Sequence, residues 1–122
     1  MLTQISTSST TVGPYSPAII ANNTIFTSGQ LGFRDGVMPP SIIDQTNNVL
    51  INLKAVLEAG KSSIQQVYKC QIFIKKGNSQ DIVIKIFNEY FNGCDVQKVV
   101  IEVEDIAAGA VVEIDAIGKI ME

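Results

Sequence analysis

The chain contains no histidine. That absence excludes Ser-His-Asp and Cys-His nucleophilic machinery, and every zinc site that uses imidazole. It has two cysteines, Cys70 and Cys94, too few for a four-thiolate metal centre; in a reducing compartment both read as small buried hydrophobes. No basic stretch could follow a phosphate backbone, since nine Lys and Arg stand against twelve Asp and Glu, for a net charge of −3. A nucleic-acid partner is therefore disfavoured. No apolar run reaches the length of a membrane span. The segment Met1-Leu2-Thr3-Gln4 lacks the charged and apolar regions of a signal peptide. These gaps lead to the expectation of a soluble, cytoplasmic protein with no membrane association.

What is present is enough apolar material for one core. The 122 residues are 46% hydrophobic, the size and content of one domain, expected to span 1–122 with 1–12 as a flexible lead-in that includes the Ser/Thr run Thr7 to Thr11. The mean hydropathy of +0.24 is high for a soluble chain, which suggests apolar surface buried against another subunit.

Ile19 to Gln30 reads as two extended pieces around a turn at Asn22-Asn23. Gly32 to Pro40, with Gly36 and Pro39-Pro40, reads as loop. Ser41 is placed as a helix N-cap with Asp44 three residues on. Ile42, Thr46, Val49, Leu50, Leu53, Val56 and Leu57 follow at helical spacing, and Gly60 suits the turn that ends the helix. Val67 to Lys75 alternates as a strand, with Tyr68, Cys70, Ile72 and Ile74 on one side. Asn78 or Ser79 caps a second helix with the stripe Val83, Ile86, Phe87, Tyr90 and Phe91, stopped by Asn92-Gly93. Lys98 to Val103 and Val111 to Ile117 complete the order β-β-α-β-α-β-β, an α+β sandwich with two helices on one sheet face.

Alternation in the last two strands separates Val99, Ile101 and Val103 from Lys98, Val100 and Glu102, and Val112, Ile114 and Ala116 from Val111, Glu113, Asp115 and Ile117. The second group of each strand is expected on the outer face, a mixed surface suited to packing against other subunits while lining a polar pocket.

Three motif-like stretches have plainer explanations. Gly60-Lys61-Ser62 resembles the end of a phosphate-binding loop, but Ala55 stands where its first glycine belongs. Asn22-Asn23-Thr24 is a glycosylation triplet without a secretory signal. Glu102, Glu104 and Asp105 lack the further oxygen ligands that a cation needs.

Two segments and one helix are more specific. Gly13-Pro14-Tyr15-Ser16-Pro17-Ala18 is followed by Ser28-Gly29-Gln30, and Glu102-Val103 leads through Gly109 to Val112-Glu113-Ile114. With Asn52-Leu53-Lys54-Ala55-Val56-Leu57-Glu58-Ala59, they resemble the RidA/YjgF family of reactive-intermediate deaminases from about Gly13 to Ile117. The resemblance implies a chorismate-mutase-like (YjgF-like) fold that trimerises through the outer sheet face, with clefts between subunits. It also implies hydrolysis of 2-enamine and 2-imino acids to 2-oxo acids and ammonia, with no metal and no organic cofactor.

Carried over residue by residue, the resemblance makes Glu113 the catalytic residue that positions the attacking water. Tyr15, Ser28 and Gly29 match cleft residues that contact substrate. Lys98 stands where the family has an arginine that binds the substrate carboxylate. Val96 replaces the preceding proline, Val100 a frequent cysteine and Ile84 an asparagine, and the loop Asn92 to Gln97 is short. Lysine offers a flexible point charge in place of a planar fork. Three functions therefore stand open: a deaminase of small 2-imino acids weakened by Lys98; a non-deaminating family member that binds small carboxylate ligands, such as 2-oxo acids, or acts as a protein-protecting scaffold; or Schiff-base chemistry with oxo acids at Lys98 itself. A plainer role for the two charges is a Lys98–Glu113 ion pair across adjacent strands.

Overall fold

The Ser41 hydroxyl accepts the Asp44 N–H at 3.3 Å and starts α1, Ile42–Ala59. Its inward stripe of Val49, Leu50, Leu53, Val56 and Leu57 is fully buried, as the 3.6-residue period requires. At its end the Gly60 N–H reaches the carbonyls of Val56 and Leu57. The left-handed turn falls one residue later than the sequence suggests, on Lys61 at φ 63°. Ser79 accepts the Ile82 N–H at 3.3 Å and starts α2, Gln80–Tyr90, whose Val83 and Phe87 enter the core while Phe87 stacks on Phe91 at 4.5 Å.

The computed structural model describes residues 17–121, and residues 3–5 by their backbone. Its strands are β1 (Thr3–Ile5), β2 (Ala18–Ala21), β3 (Thr24–Thr27), β4 (Val67–Lys75), β5 (Gln97–Val103) and β6 (Val112–Lys119). They form one six-stranded sheet in the order β1-β2-β3-β6-β4-β5. The β4–β5 pair is parallel and every other pair is antiparallel. A parallel pair needs a crossover, and α2 is that crossover. Both helices cover one face, so the α+β sandwich stands. Thr3–Ile5 adds a strand inside the stretch expected as a lead-in, pairing with Ala18–Ile20; the remainder of that lead-in lies outside the described residues.

The helix-covered face carries Ala18, Ile25, Cys70, Ile72, Ile74, Val112, Ile114 and Ala116, all buried. Burial, helped by the nearby charge of Asp115, pushes the Cys70 thiol up to about 12, which makes it an inert core residue. Cys94, also unpaired, packs half-buried against the same core.

Two strand readings need correction. The β4–β6 register shifts between Val67 and Lys69, and this irregularity turns Tyr68 out to 54% exposure rather than into line with Cys70. The sides of β5 are also reversed. Pairing of Lys98 with Cys70 and of Val100 with Ile72 puts Lys98, Val100 and Glu102 on the helix side. Val99, Ile101 and Val103 therefore join Ile19, Phe26, Phe73 and Ile117 on the outer face, where Phe26 is 43% and Val99 39% exposed. Alternation shows that a strand has two sides. Only its pairing shows which side meets the helices.

Candidate functional site

Glu113 lies on β6 opposite Phe73 of β4, on the outer face and half-buried. Its carboxylate presses so close to Gly29 that a Cβ there would overlap it; only glycine permits this approach. Asp115 projects from the same face two residues on, fixed by the Gln71 N–H at 3.2 Å. Burial first, and then the charge of Asp115, raise the Glu113 carboxyl above its ordinary value. Asp115 is raised by its own burial, against the lowering effects of the Gln71 N–H and Lys69. The pair is a poised, partly desolvated acidic site.

The segment facing Glu113 is braced from two sides. Ser28 donates its N–H to the Pro17 carbonyl at 2.8 Å and its hydroxyl to the same oxygen at 3.1 Å. Gln30 exchanges two backbone hydrogen bonds with Ile114, at 2.8 and 3.2 Å, beside Glu113. From α1, Asn52 donates to the carbonyls of Leu31 at 2.8 Å and Phe33 at 2.9 Å. Asn48 donates to Gly32 at 3.1 Å. Gln45 donates to Pro39 at 2.8 Å and accepts the Val111 N–H at 3.0 Å. A Cβ at Gly32 would come within 2.7 Å of the Gln45 carbonyl oxygen, so the loop lies directly on the helix. Sequence reasoning missed these amides. Their signal was present as polar residues at 45, 48 and 52, spaced as neighbours on one helix face.

Gly29 thus lies against Glu113 with Ser28 beside it in the chain, but Lys98 does not join them. In β5 it shares the helix side with Cys70, and its Nζ stands 6.0 Å from the Phe87 ring centre, within cation–π range. The side chain is exposed. Strand β4 separates β5 from β6, and Lys98 and Glu113 point to opposite faces. The cross-strand ion pair is therefore absent, because it needed adjacent strands. Tyr15 lies outside the described residues. Ile84 lines an open groove of about 680 Å³ along α2, with Asp81, Lys85, Asn88, Glu89 and Asn92.

Of the acidic turn, Asp105 pairs with Lys75 at 3.6 Å and Glu104 with Lys76 at 3.9 Å. Among the described residues no group of three or more His, Cys, Asp or Glu is arranged to hold a metal. Chemically, the Glu113 region can hold and deprotonate a water beside backbone groups of a fixed loop. The Lys98 region can attract an anion. Within the chain the two regions lie on opposite faces of the sheet.

Comparison with known proteins follows the same outline. The sequence profile of a family described as Endoribonuclease L-PSP matches residues 6–120. A RutC family protein of Pyrococcus horikoshii is 36% identical over 109 residues, covering 87% of this chain and 86% of its own. A 2-iminobutanoate/2-iminopropanoate deaminase of Dermatophagoides farinae is 30% identical over 109 residues, covering 87% of this chain and 85% of its own. A solved structure from Yersinia pestis, described as YyfA of the conserved Rid protein family and as a protein of unknown function, superimposes with a TM-score of 0.92. It is 32% identical and covers 98% of this chain and 100% of its own.

Proposed function

The chain belongs to the RidA/YjgF family, and from that premise we propose that it hydrolyses small 2-imino acids to 2-oxo acids and ammonia. Water held by Glu113 adds to the imine carbon, and its proton passes to the carboxylate as the C–O bond forms. That proton then moves to the nitrogen; the new hydroxyl gives up its own proton, again through Glu113, to the nitrogen as the C–N bond breaks, so that ammonia leaves and the carbonyl forms. A carboxylate raised towards neutrality is a better base for this step than an ordinary one. Lys98 holds the substrate carboxylate, and Ser28, Gly29 and Tyr15 complete the pocket without a metal or organic cofactor.

The observation that carries the mechanism is the opposed placement of Glu113 and Lys98 in one protomer. A cleft that uses both needs Glu113 of one subunit and Lys98 of another. The apolar outer face supports such an assembly, and a homotrimer is the proposed form. A deaminase name among relatives supports the reaction. The endoribonuclease of the family description is not carried over, because the chain has a net negative charge and no histidine for general acid–base work on phosphate. A cytoplasmic site of action is proposed; no helix of the described residues is long and apolar enough to cross a membrane.

The exposure of Lys98 favours a second reading, a binder of small carboxylic acids without turnover. One assay separates the readings: ammonia release from 2-iminopropanoate or 2-iminobutanoate generated in situ. At substrate concentrations well below KM, Glu113→Gln and Lys98→Ala subunits are each expected to be slow alone, the first through kcat and the second through KM. Mixed after subunit exchange, they are expected to regain about a quarter of the parental activity, the share of clefts that receive both intact side chains in a cyclic assembly. Parent protein no faster than buffer overturns the deaminase reading. Parental activity without complementation overturns the shared cleft.

A further inference from the structure

We propose that Asn52 of α1 is a positioning residue for Glu113, acting through the loop 29–33. The proposal rests on the reading of Glu113 as the group that handles water, and it concerns how that group is kept in place. Asn52 is 7% exposed and spends both amide protons on the loop, on the carbonyls of Leu31 and Phe33. An amide buried on the side of α1 that also buries Val49, Leu53 and Val56 is costly unless satisfied, and here the loop backbone satisfies it. The same loop is tied to β6 through the two Gln30–Ile114 bonds, so it bridges the helix and the strand that bears Glu113.

Gly29 sits at the end of this bridge, against the Glu113 carboxylate. Its position depends on the bonds on either side: Ser28 is held by Pro17, and Gln30 by Ile114 and, through its neighbour Leu31, by Asn52. Asn48 and Gln45 reinforce the attachment at Gly32 and at Pro39 and Val111. If Asn52 lets go, the loop lifts and water reaches the Glu113 carboxylate on the side that Gly29 now shields. Among the described residues, the charged groups of the strands that share that sheet face are Asp115 and Lys119 on β6 and Lys69 and Lys75 on β4. They lie on the sheet face away from α1, which carries Asn52, so their influence stays constant in the test.

The variant is Asn52→Leu, which keeps the side-chain size and removes both donors. The readout is the titration of Glu113, followed by carboxyl carbon NMR on the full chain, together with kcat and KM for ammonia release. We expect the Glu113 midpoint to fall towards the ordinary glutamate value and kcat to drop by about 10²-fold, as small misplacements of reacting groups do, with KM little changed. Val49→Ala, a core truncation in the same helix, is expected to lower Tm without moving the titration. An Asn52→Leu protein with lowered Tm but parental Glu113 titration overturns the proposal. Should that variant fail to fold, Asn48→Ala, which releases the Gly32 carbonyl alone, is read by the same criteria. The titration decides the matter even if the parent releases no ammonia, so failure here and failure of the deaminase reading remain distinct.

Discussion

Around Glu113 each neighbouring element is tied down, whereas the Lys98 side chain leaves the sheet edge for solvent above one aromatic ring. The carboxylate has Gly29 packed against it, Phe73 across the ladder and a loop bonded to both α1 and β6. The ammonium stands 6.0 Å from the Phe87 ring on a flexible four-carbon stem. The difference matches what each proposed task needs. Addition of water to a carbon demands fixed distance and angle, while attraction of an anion falls slowly with distance and tolerates a mobile charge. Their placement on opposite faces keeps the two regions apart within one chain.

Replacing the fixed carboxylate should break this comparison most sharply. Glu113→Gln is expected to lower kcat by ~10²–10⁴, the usual worth of general acid–base assistance, with KM nearly parental. Steady-state ammonia release checks this, and an unchanged kcat would mean that rigidity at Glu113 serves packing alone.

A smaller effect is expected at the mobile charge. Hydrogen bonds to charged groups are worth roughly 1.5–3 kcal/mol, so Lys98→Ala should raise KM by about one to two decades while kcat changes less. Lys98→Arg should lower KM below that of the parent, because the guanidinium offers a bidentate fork and a flat face for the Phe87 ring. Equal KM values for all three proteins would remove Lys98 from the cleft.

The smallest effect concerns Asp115, whose charge raises Glu113. Asp115→Asn keeps an oxygen for the Gln71 N–H and removes the repulsion. The acid limb of kcat/KM, where Glu113 takes up its proton, should move to lower pH. Stability follows with a definite sign. The folded-state carboxyl of Asp115 is raised, so protonation favours the folded state, and the parent loses that advantage as pH rises through the raised value. Asn has no such loss. The Tm of Asp115→Asn relative to the parent should therefore be higher at pH 7 than below the ordinary aspartate range, which a pH series of melting curves will show.

Local signals made much of the molecule legible. Ser41 and Ser79 cap helices where their spacing to apolar stripes puts them, and the stripe through Leu53 and Leu57 is buried as its period requires. Thr3–Ile5 was not legible, since three residues are too few to display alternation and the strand exists through its pairing with β2. Tyr68 was misplaced because a register shift of one residue reverses a side chain without any mark in the composition. The approach of Ser28, Gly29 and Glu113 came through the family resemblance. The amides that hold the loop went unread because a polar residue on an apolar stripe does not name its partner.

The amino-acid sequence alone determined the helices, most of the strands, the absence of imidazole chemistry and the set of residues that resembles a deaminase cleft. These depend on spacing and residue type, which short-range physics reads directly. The tertiary structure alone decided that β4 lies between the strands bearing Lys98 and Glu113, and that the two charges face apart. Strand order and facing depend on pairings between residues far apart in the chain. A period of two specifies alternation but leaves the choice of face to the neighbouring strand.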